Sequence, residues 1–156
     1  MNLTKFRKQA TSPIFRLFLL RKLPLAFIAG VRVKKIDDSS CVTSLKFGWI
    51  NQNPFRSMYF AAMQMAAELT TGLLLYQYVA SGNKFSMLLV SLKAEYDKKA
   101  IGVIDFVCNQ AAEMDQFINE MKLSDEGQTK VFQVYAINQK GEEVAKFEFE
   151  WSCKTK

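Results

Sequence analysis

The most informative absence in the sequence is histidine, which occurs at none of the 156 positions. A chain without histidine cannot carry a Ser-His-Asp or Cys-His catalytic arrangement or a zinc site of the His-Glu-x-x-His type. It also lacks an imidazole for acid–base chemistry near neutral pH. Any catalysis must therefore use carboxylates, tyrosine, lysine, cysteine or hydroxyl groups.

Cysteine is also scarce. Cys41, Cys108 and Cys153 lie far apart, are odd in number and form no Cys-x-x-Cys pair. This spacing indicates neither a disulfide framework nor a metal site. We expect buried free thiols, a reducing cytoplasmic location and no bound metal. Because a Gly-rich phosphate loop is missing as well, no cofactor is expected.

Acidic residues are missing from positions 1–36, whereas this segment is rich in bases. The bases are Lys5, Arg7, Lys8, Arg16, Arg21, Lys22, Arg32, Lys34 and Lys35. The net charge of +6 therefore arises here, because all 15 acidic residues follow. Such an end attracts phosphate-rich ligands, an acidic partner or a membrane surface, although a solvated basic surface is the simpler interpretation. No base-stacking or groove-reading motif predicts a nucleic-acid partner.

The composition predicts one folded domain, since 49% of the residues are hydrophobic and 23% are charged. Residues 1–30 form a basic helical lead. Ser12-Pro13 starts one helix. Pro24 opens a second, from Leu25 to Ala29, which Gly30 ends as its C-cap. The apolar run within this lead is interrupted by Arg16 and is too short for a signal peptide or a membrane-spanning helix.

From residue 31 the pattern becomes alternating, which is typical of β-strands. The predicted strands are 31–36, 41–49, 88–96, 101–110, 130–138 and 143–153, in three successive hairpins. In the second strand one face, which includes Phe47 and Trp49, is expected to be buried. Residues 111–122 have helical composition and form either a short helix or an irregular crossing.

The longest segment with almost no charge is about residues 57–79, which predicts a helix roughly 35 Å long. Asn53-Pro54 precedes it, and Ser57 is expected to cap its first turn. The helix is apolar nearly all round, with one narrow polar seam that carries its only carboxylate, Glu68. We therefore expect Glu68 to be buried. It is either a structural group bonded to backbone or to a cation, or a general base or nucleophile in an apolar pocket.

The order of elements is a helical lead, two strands, a long helix and four strands. Without βαβ alternation, a doubly wound sheet is excluded. Six antiparallel strands can bury so many apolar side chains by curving around the long helix. The predicted class is α+β.

This arrangement resembles the hotdog superfamily, and the stretch Asn-Pro-Phe-Arg-Ser-Met-Tyr-Phe-Ala-Ala-Met-Gln-Met-Ala-Ala-Glu at 53–68 resembles the helix start of the phenylacetyl-CoA-type acyl-CoA thioesterases. The resemblance covers about residues 24–153 and implies a hotdog domain over 31–156. In that family an asparagine precedes the helix, and an acid on the helix acts on the thioester. By position, these residues are Asn53 and Glu68.

The sequence departs from the family where relatives carry His-Gly-Gly or His-Ala-Gly, because here the aligned residues are Tyr59, Phe60 and Ala61. The hydroxyl of Tyr59 could replace the histidine, or Tyr59 could be a packed core aromatic. The backbone amides of Phe60 and Ala61 are the expected oxyanion donors. Three further polar residues are expected to contact substrate: Ser57, Gln64 and Thr71. Gln64 could instead orient Glu68 or fill the seam.

The resemblance implies an acyl-CoA thioesterase whose site lies at a homodimer interface, in a dimer or a tetramer. The expected substrate is an acyl-CoA or another acyl thioester. The missing histidine and glycines leave open a non-catalytic acyl- or lipid-binding protein, which could rest on a membrane through the basic lead. A hotdog dehydratase is disfavoured because the enzymes it would resemble use a histidine together with the acid.

Overall fold

The computed structural model describes residues 2–124 and 126–156, which form five α-helices, a short 3-10 helix and six strands. The helices are α1 (Leu3–Ala10), α2 (Ile14–Lys22), α3 (Pro24–Ala29), α4 (Phe60–Ala80) and α5 (Ala111–Met121), with the 3-10 helix at Trp49–Asn51. The strands are β1 (Arg32–Ile36), β2 (Cys41–Lys46), β3 (Phe85–Tyr96), β4 (Val103–Cys108), β5 (Gln128–Asn138) and β6 (Glu143–Thr155). Segment 111–122 is thus mostly helical. No helix in the described ranges is long and apolar enough to cross a membrane.

The six strands form one antiparallel sheet in the order β1-β2-β4-β5-β6-β3, and α4 packs against it. This confirms the predicted α+β architecture with a long central helix. Alternate side chains of the inner strands point towards α4 and are fully buried, among them Phe106, Phe132, Phe147 and Phe149. The alternation read from the sequence therefore corresponds to one buried face of the sheet.

The predicted hairpin between the third and fourth strands is wrong. β3 pairs along its length with β6, from Phe85 opposite Thr155 to Tyr96 opposite Ala145, whereas β4 lies between β2 and β5. The chain crosses from the edge of the sheet to its centre after β3. The physical reason is that the 12 residues of β3 can form more backbone hydrogen bonds along the 13 residues of β6 than along the six residues of β4.

The second strand ends at Lys46, and Trp49 is 83% exposed, so the expectation that its side chain is buried is wrong. The side-chain amide of Asn51 donates hydrogen bonds to the carbonyls of Lys46 and Ala29, at 2.9 and 3.0 Å. These bonds hold the chain in a 3-10 turn, which directs Trp49 away from the sheet.

The long helix begins at Phe60, three residues later than expected. Ser57 does not cap it, because the Ser57 hydroxyl donates to Oδ1 of Asn53 at 3.2 Å and Tyr59 occupies the cap position. The predicted stop of α3 is confirmed, since Gly30 ends it with a φ of 90°, a conformation that side chains disfavour.

The helical lead packs on the body of the protein. Phe6, Phe15 and Leu19 are buried in the same core as the sheet. Arg7 donates from Nε to Oε1 of the buried Gln77 at 2.9 Å and forms an ion pair with Asp38. The lead is thereby fixed to α4 and to the β1–β2 turn.

Candidate functional site

A cavity of about 670 Å³ lies between the helical lead, α4 and the neighbouring strands β3 and β6. Its volume is within the roughly 300–1,000 Å³ of small-molecule sites. The wall from the lead consists of Phe18, Lys22, Leu23, Pro24, Leu25 and Ala26. The wall from α4 consists of Met65, Glu68, Leu69, Gly72, Leu73 and Tyr76, and Met87 and Trp151 come from the sheet. Because only Lys22 and Glu68 are charged, the cavity suits an apolar ligand with one polar end.

Glu68 lies at this cavity without a bonded partner. In the described part of the chain, no hydrogen bond and no ion pair within 4.0 Å involves its carboxylate. The apolar surroundings exclude water from part of the group and raise the pKa of its carboxyl. The expectation of a buried Glu68 is wrong for the single chain, however, since the residue as a whole is exposed to solvent. Glu68 is therefore in contact with solvent on one side and with apolar side chains on the other.

Asn53 is buried within the turn that leads into α4. Its Oδ1 accepts hydrogen bonds from the Phe55 amide at 3.0 Å, the Ser57 amide at 3.3 Å and the Ser57 hydroxyl. Its Nδ2 donates to the Met58 carbonyl at 3.2 Å. Asn53 and Ser57 are therefore brought together, and the contacts that they make fix the shape of the turn.

The first residues of α4 present unused backbone donors. Within the described ranges, the amides of Phe60 and Ala61 have no hydrogen-bond acceptor, as is usual for a helix start without a side-chain cap. Tyr59 is exposed, and the Phe60 ring packs against Tyr96 at an interplanar angle of 40°, with the ring centroids 4.3 Å apart. A smaller cavity of about 230 Å³ adjoins this turn. It is lined by Asn53, Phe55, Ser57, Phe60, Tyr96, Asp97, Lys98, Lys99 and Ala100.

Gln64 and Thr71 occupy the same helix but differ in surroundings. Gln64 is half-buried and donates from Nε2 to the hydroxyl of Tyr96 at 2.9 Å. Thr71 is fully buried, donates to the Glu68 carbonyl at 3.1 Å and accepts from Trp151 Nε1 at 3.0 Å. Gln64 therefore lies nearer to the helix start, and Thr71 supports the floor beneath the larger cavity.

The predicted site residues thus form two groups in one chain. Asn53, Ser57 and Phe60 border the smaller cavity, whereas Glu68 borders the larger one. Eight residues separate Phe60 from Glu68, which is about 12 Å along a helix axis. A single thioester carbonyl cannot contact both the free amides and Glu68 of the same chain.

The sequence interpretation missed the contribution of the helical lead, most of which lies outside the residues 24–153 that resemble the thioesterases. Phe18, Lys22, Leu23 and Leu25 form one complete wall of the larger cavity. A signal for this wall was present in the sequence. The short helices carry more large apolar residues than one buried face needs.

Comparison with known proteins agrees with the fold. A protein of unknown function from Pseudomonas aeruginosa, described as a probable thioesterase, superposes with a TM-score of 0.74 at 20% identity, over 95% of this chain and 99% of that chain. A protein of unknown function from Chlorobaculum tepidum gives 0.77 at 13% identity, over 94% and 99%. A mutant thioesterase from Pseudomonas aeruginosa gives 0.70 at 11% identity, over 97% and 99%. These likenesses show the hotdog fold.

No curated protein matches the sequence. Residues 11–153 match the model of a family described as a domain of unknown function, DUF4442. The matched range includes α2, α3 and the cavity wall that they form. The chain therefore belongs to the DUF4442 family.

Proposed function

We propose that this protein hydrolyses an acyl thioester such as acyl-CoA, with Glu68 as general base or nucleophile. The observation that carries the proposal is the position of Glu68. It is the only carboxylate on α4, it makes no bond to another described side chain, and it borders an apolar cavity of about 670 Å³. The hotdog neighbours described as thioesterases support the same reaction class.

In the general-base route, the Glu68 carboxylate takes a proton from water, and the oxygen of that water attacks the thioester carbonyl carbon. The resulting oxyanion accepts hydrogen bonds from the amides of Phe60 and Ala61. The C–S bond then breaks, and the proton held by Glu68 passes to the departing thiolate. In the nucleophilic route, Glu68 attacks the carbonyl carbon, the C–S bond breaks as the thiolate leaves, and water then hydrolyses the mixed anhydride to the free acid and restores the Glu68 carboxylate.

The separation of the two groups within one chain favours a site that two protomers share. We propose that the amides of one subunit and Glu68 of the partner subunit act on the same carbonyl in a homodimer. The edge strand β3 offers the contact, because its outer side is unpaired in the single chain and exposes Leu88, Val90 and Leu92. A long apolar edge of this kind normally pairs with another strand. Two dimers could associate further into a tetramer.

The remaining polar residues have positioning roles in this proposal. Asn53 and Ser57 hold the turn that presents the free amides, and Asn53 thereby positions the carbonyl. In this proposal the hydroxyl of Tyr59, an exposed residue, and the side-chain amide of Gln64 contact the thioester or the water. Lys98 and Lys99 border the smaller cavity, where they could bind the phosphates of CoA.

Release of free thiol from acyl-CoAs of increasing chain length tests the proposal. Glu68→Gln should lower kcat by at least about 10²-fold, the usual contribution of a general base. Glu143→Gln is the matched control, because Glu143 is an exposed acid at the start of β6. Equal rates for wild-type protein and Glu68→Gln would refute the assignment.

A non-catalytic acyl-binding protein is the second candidate. It is favoured by the hydrogen bonds that Ser57 donates to Asn53. These bonds engage side chains that would need to be free to contact a substrate. In that case, acyl chains should copurify with the protein and bind in the cavity of Glu68, and no acyl-CoA should release thiol. Turnover that depends on Glu68 would exclude this candidate.

A further inference from the structure

The helical lead carries a second apolar surface that the core does not use. Phe15, Leu19 and Ala26 are buried against the body, whereas six large aliphatic side chains of the same segment point outward. We call these six residues the outer face: Ile14, Leu17, Leu20, Leu23, Leu25 and Ile28. Leu25 is 69% exposed and Ile14 is 73% exposed. Such a concentration of exposed aliphatic residues within 14–28 is unusual for a free protein surface.

Positive charge accompanies the outer face. Arg16, Arg21 and Lys22 lie in α2, and none of them forms an ion pair with another described residue. The first acid in the chain is Asp37, beyond the lead. Three other bases of the basic segment are paired with acids: Arg7 with Asp38, Lys34 with Asp105 and Lys35 with Asp37. Three of the bases without an ion pair to a described acid, Arg16, Arg21 and Lys22, therefore belong to the same helix as Ile14, Leu17 and Leu20 of the outer face.

We propose that the outer face docks on an anionic membrane surface. The aliphatic side chains would enter the boundary between headgroups and acyl chains, and Arg16, Arg21 and Lys22 would contact lipid phosphates. A second copy of this chain fits less well, because a self-complementary contact would bring the same cations together without counter-charges. An apolar protein partner would likewise leave these charges uncompensated.

The position of the outer face gives this docking a consequence for the cavity. Leu23 and Leu25 belong both to the outer face and to the cavity wall, and Lys22 lines the same wall. A docked molecule would therefore hold the cavity against the bilayer, where an acyl chain could enter without crossing water. Docking itself does not depend on the proposed hydrolysis, so the two proposals can fail separately.

Flotation of the full chain with vesicles tests the proposal. Vesicles of equal parts phosphatidylcholine and phosphatidylglycerol should carry the protein to the top of a density gradient, and vesicles of phosphatidylcholine alone should carry much less. Raising the salt concentration should weaken the binding, because lipid charge is screened. Absence of binding to the anionic vesicles, or equal binding to both kinds, would overturn the proposal.

Matched variants separate the outer face from other exposed residues. Leu17→Gln combined with Leu25→Gln should weaken vesicle binding at least roughly tenfold, because two leucine side chains that would enter the bilayer are lost. Arg21→Gln should weaken it about fivefold, as expected for one basic residue near an anionic surface. Leu123→Gln and Lys140→Gln, which alter exposed residues elsewhere, should bind like the wild type. Equal binding by all five proteins would refute the role of the outer face.

A fluorescence measurement checks the orientation and the rival occupant. In a Trp49→Phe background, in which Trp151 is the remaining tryptophan, brominated phosphatidylglycerol should quench the emission that Leu25→Trp adds to this background, but not the emission that Leu123→Trp adds. Equal quenching of the two would contradict docking through the lead. If the Leu17→Gln and Leu25→Gln protein instead lost only self-association in sedimentation, the occupant would be a second copy and the membrane proposal would be wrong.

Discussion

Trp151 on β6 donates a hydrogen bond from its indole Nε1 to the Thr71 hydroxyl on α4, at 3.0 Å. The next helix residue is Gly72, which lines the larger cavity together with Trp151. A Cβ added at Gly72 would lie 3.8 Å from the indole ring, which is an ordinary contact. The Thr71–Trp151 bond thus fixes the floor of the cavity, and the missing side chain of Gly72 keeps the space above it open.

We therefore expect opposite effects of two substitutions at Gly72. Gly72→Ala should raise the free energy of unfolding by about 0.5–1 kcal/mol, because alanine favours the helix and meets no clash. Gly72→Leu should instead fill part of the cavity and weaken the binding of long acyl chains more than that of short ones. Chemical denaturation and acyl-chain titrations measure the two effects. Identical chain-length preference in both variants would contradict the assignment of the cavity.

The raised pKa of Glu68 predicts how activity and stability vary with pH. As a base it must be ionised, so kcat should fall on acidification at a pH above the ordinary pKa of glutamic acid, about 4.3. The pKa of Glu68 is higher in the folded state than in the unfolded state. Ionisation of Glu68 therefore lowers the free energy of unfolding at neutral pH, and this loss is absent at a pH below both pKa values. Glu68→Gln should therefore raise the melting temperature slightly at pH 7 and leave it unchanged near pH 4.

The control for this prediction is Glu143→Gln, which alters an exposed acid at the start of β6 and should leave the melting temperature close to that of the wild type. A lower melting temperature for Glu68→Gln at pH 7 would mean that the carboxylate is stabilised by a bond, and this would favour a structural role.

A buried pair of threonines fixes α4 on the sheet. The Thr43 hydroxyl on β2 donates to the Ala66 carbonyl at 2.8 Å and lies 2.8 Å from the Thr70 hydroxyl. Thr43→Val should lower the free energy of unfolding by about 1–2 kcal/mol, because a buried polar group loses its partner. Thr70→Val should lower the free energy of unfolding less in the Thr43→Val background than in the wild type, since the two threonines share these hydrogen bonds. Thr129→Val, at an exposed position of β5, should stay within about 0.5 kcal/mol. Additive losses at Thr43 and Thr70 would show that the two do not act as a pair.

The three cysteines are expected to react slowly in the native protein. All are buried and free, and burial raises the pKa of Cys108 and of Cys153 to about 11 and that of Cys41 still further. Few thiolates are therefore available near neutral pH. A thiol-reactive dye at pH 8 should label the native protein slowly and label three thiols after denaturation in guanidinium. Rapid labelling of any thiol in the native state would contradict the burial of these side chains.

Much of the fold could be predicted because the relevant signals are local. Strand alternation, such as that of Phe147, Phe149 and Trp151, follows directly from the period of two residues, and Gly30 stops α3 because of its backbone freedom. Strand pairing could not be predicted in the same way. The choice of β6 rather than β4 as the partner of β3 depends on contacts between residues far apart in the chain.

The sequence by itself determined that any chemistry must do without histidine, that the fold is α+β, and that α4 carries a single carboxylate. Composition and periodicity decide these points because they do not depend on distant contacts. Only the tertiary structure decided that the lead closes a cavity beside Glu68, that Asn53 is bonded within a turn, and that the amides of Phe60 and Ala61 are left without an acceptor among the described residues. These relationships arise from side chains that approach one another only after the chain has folded.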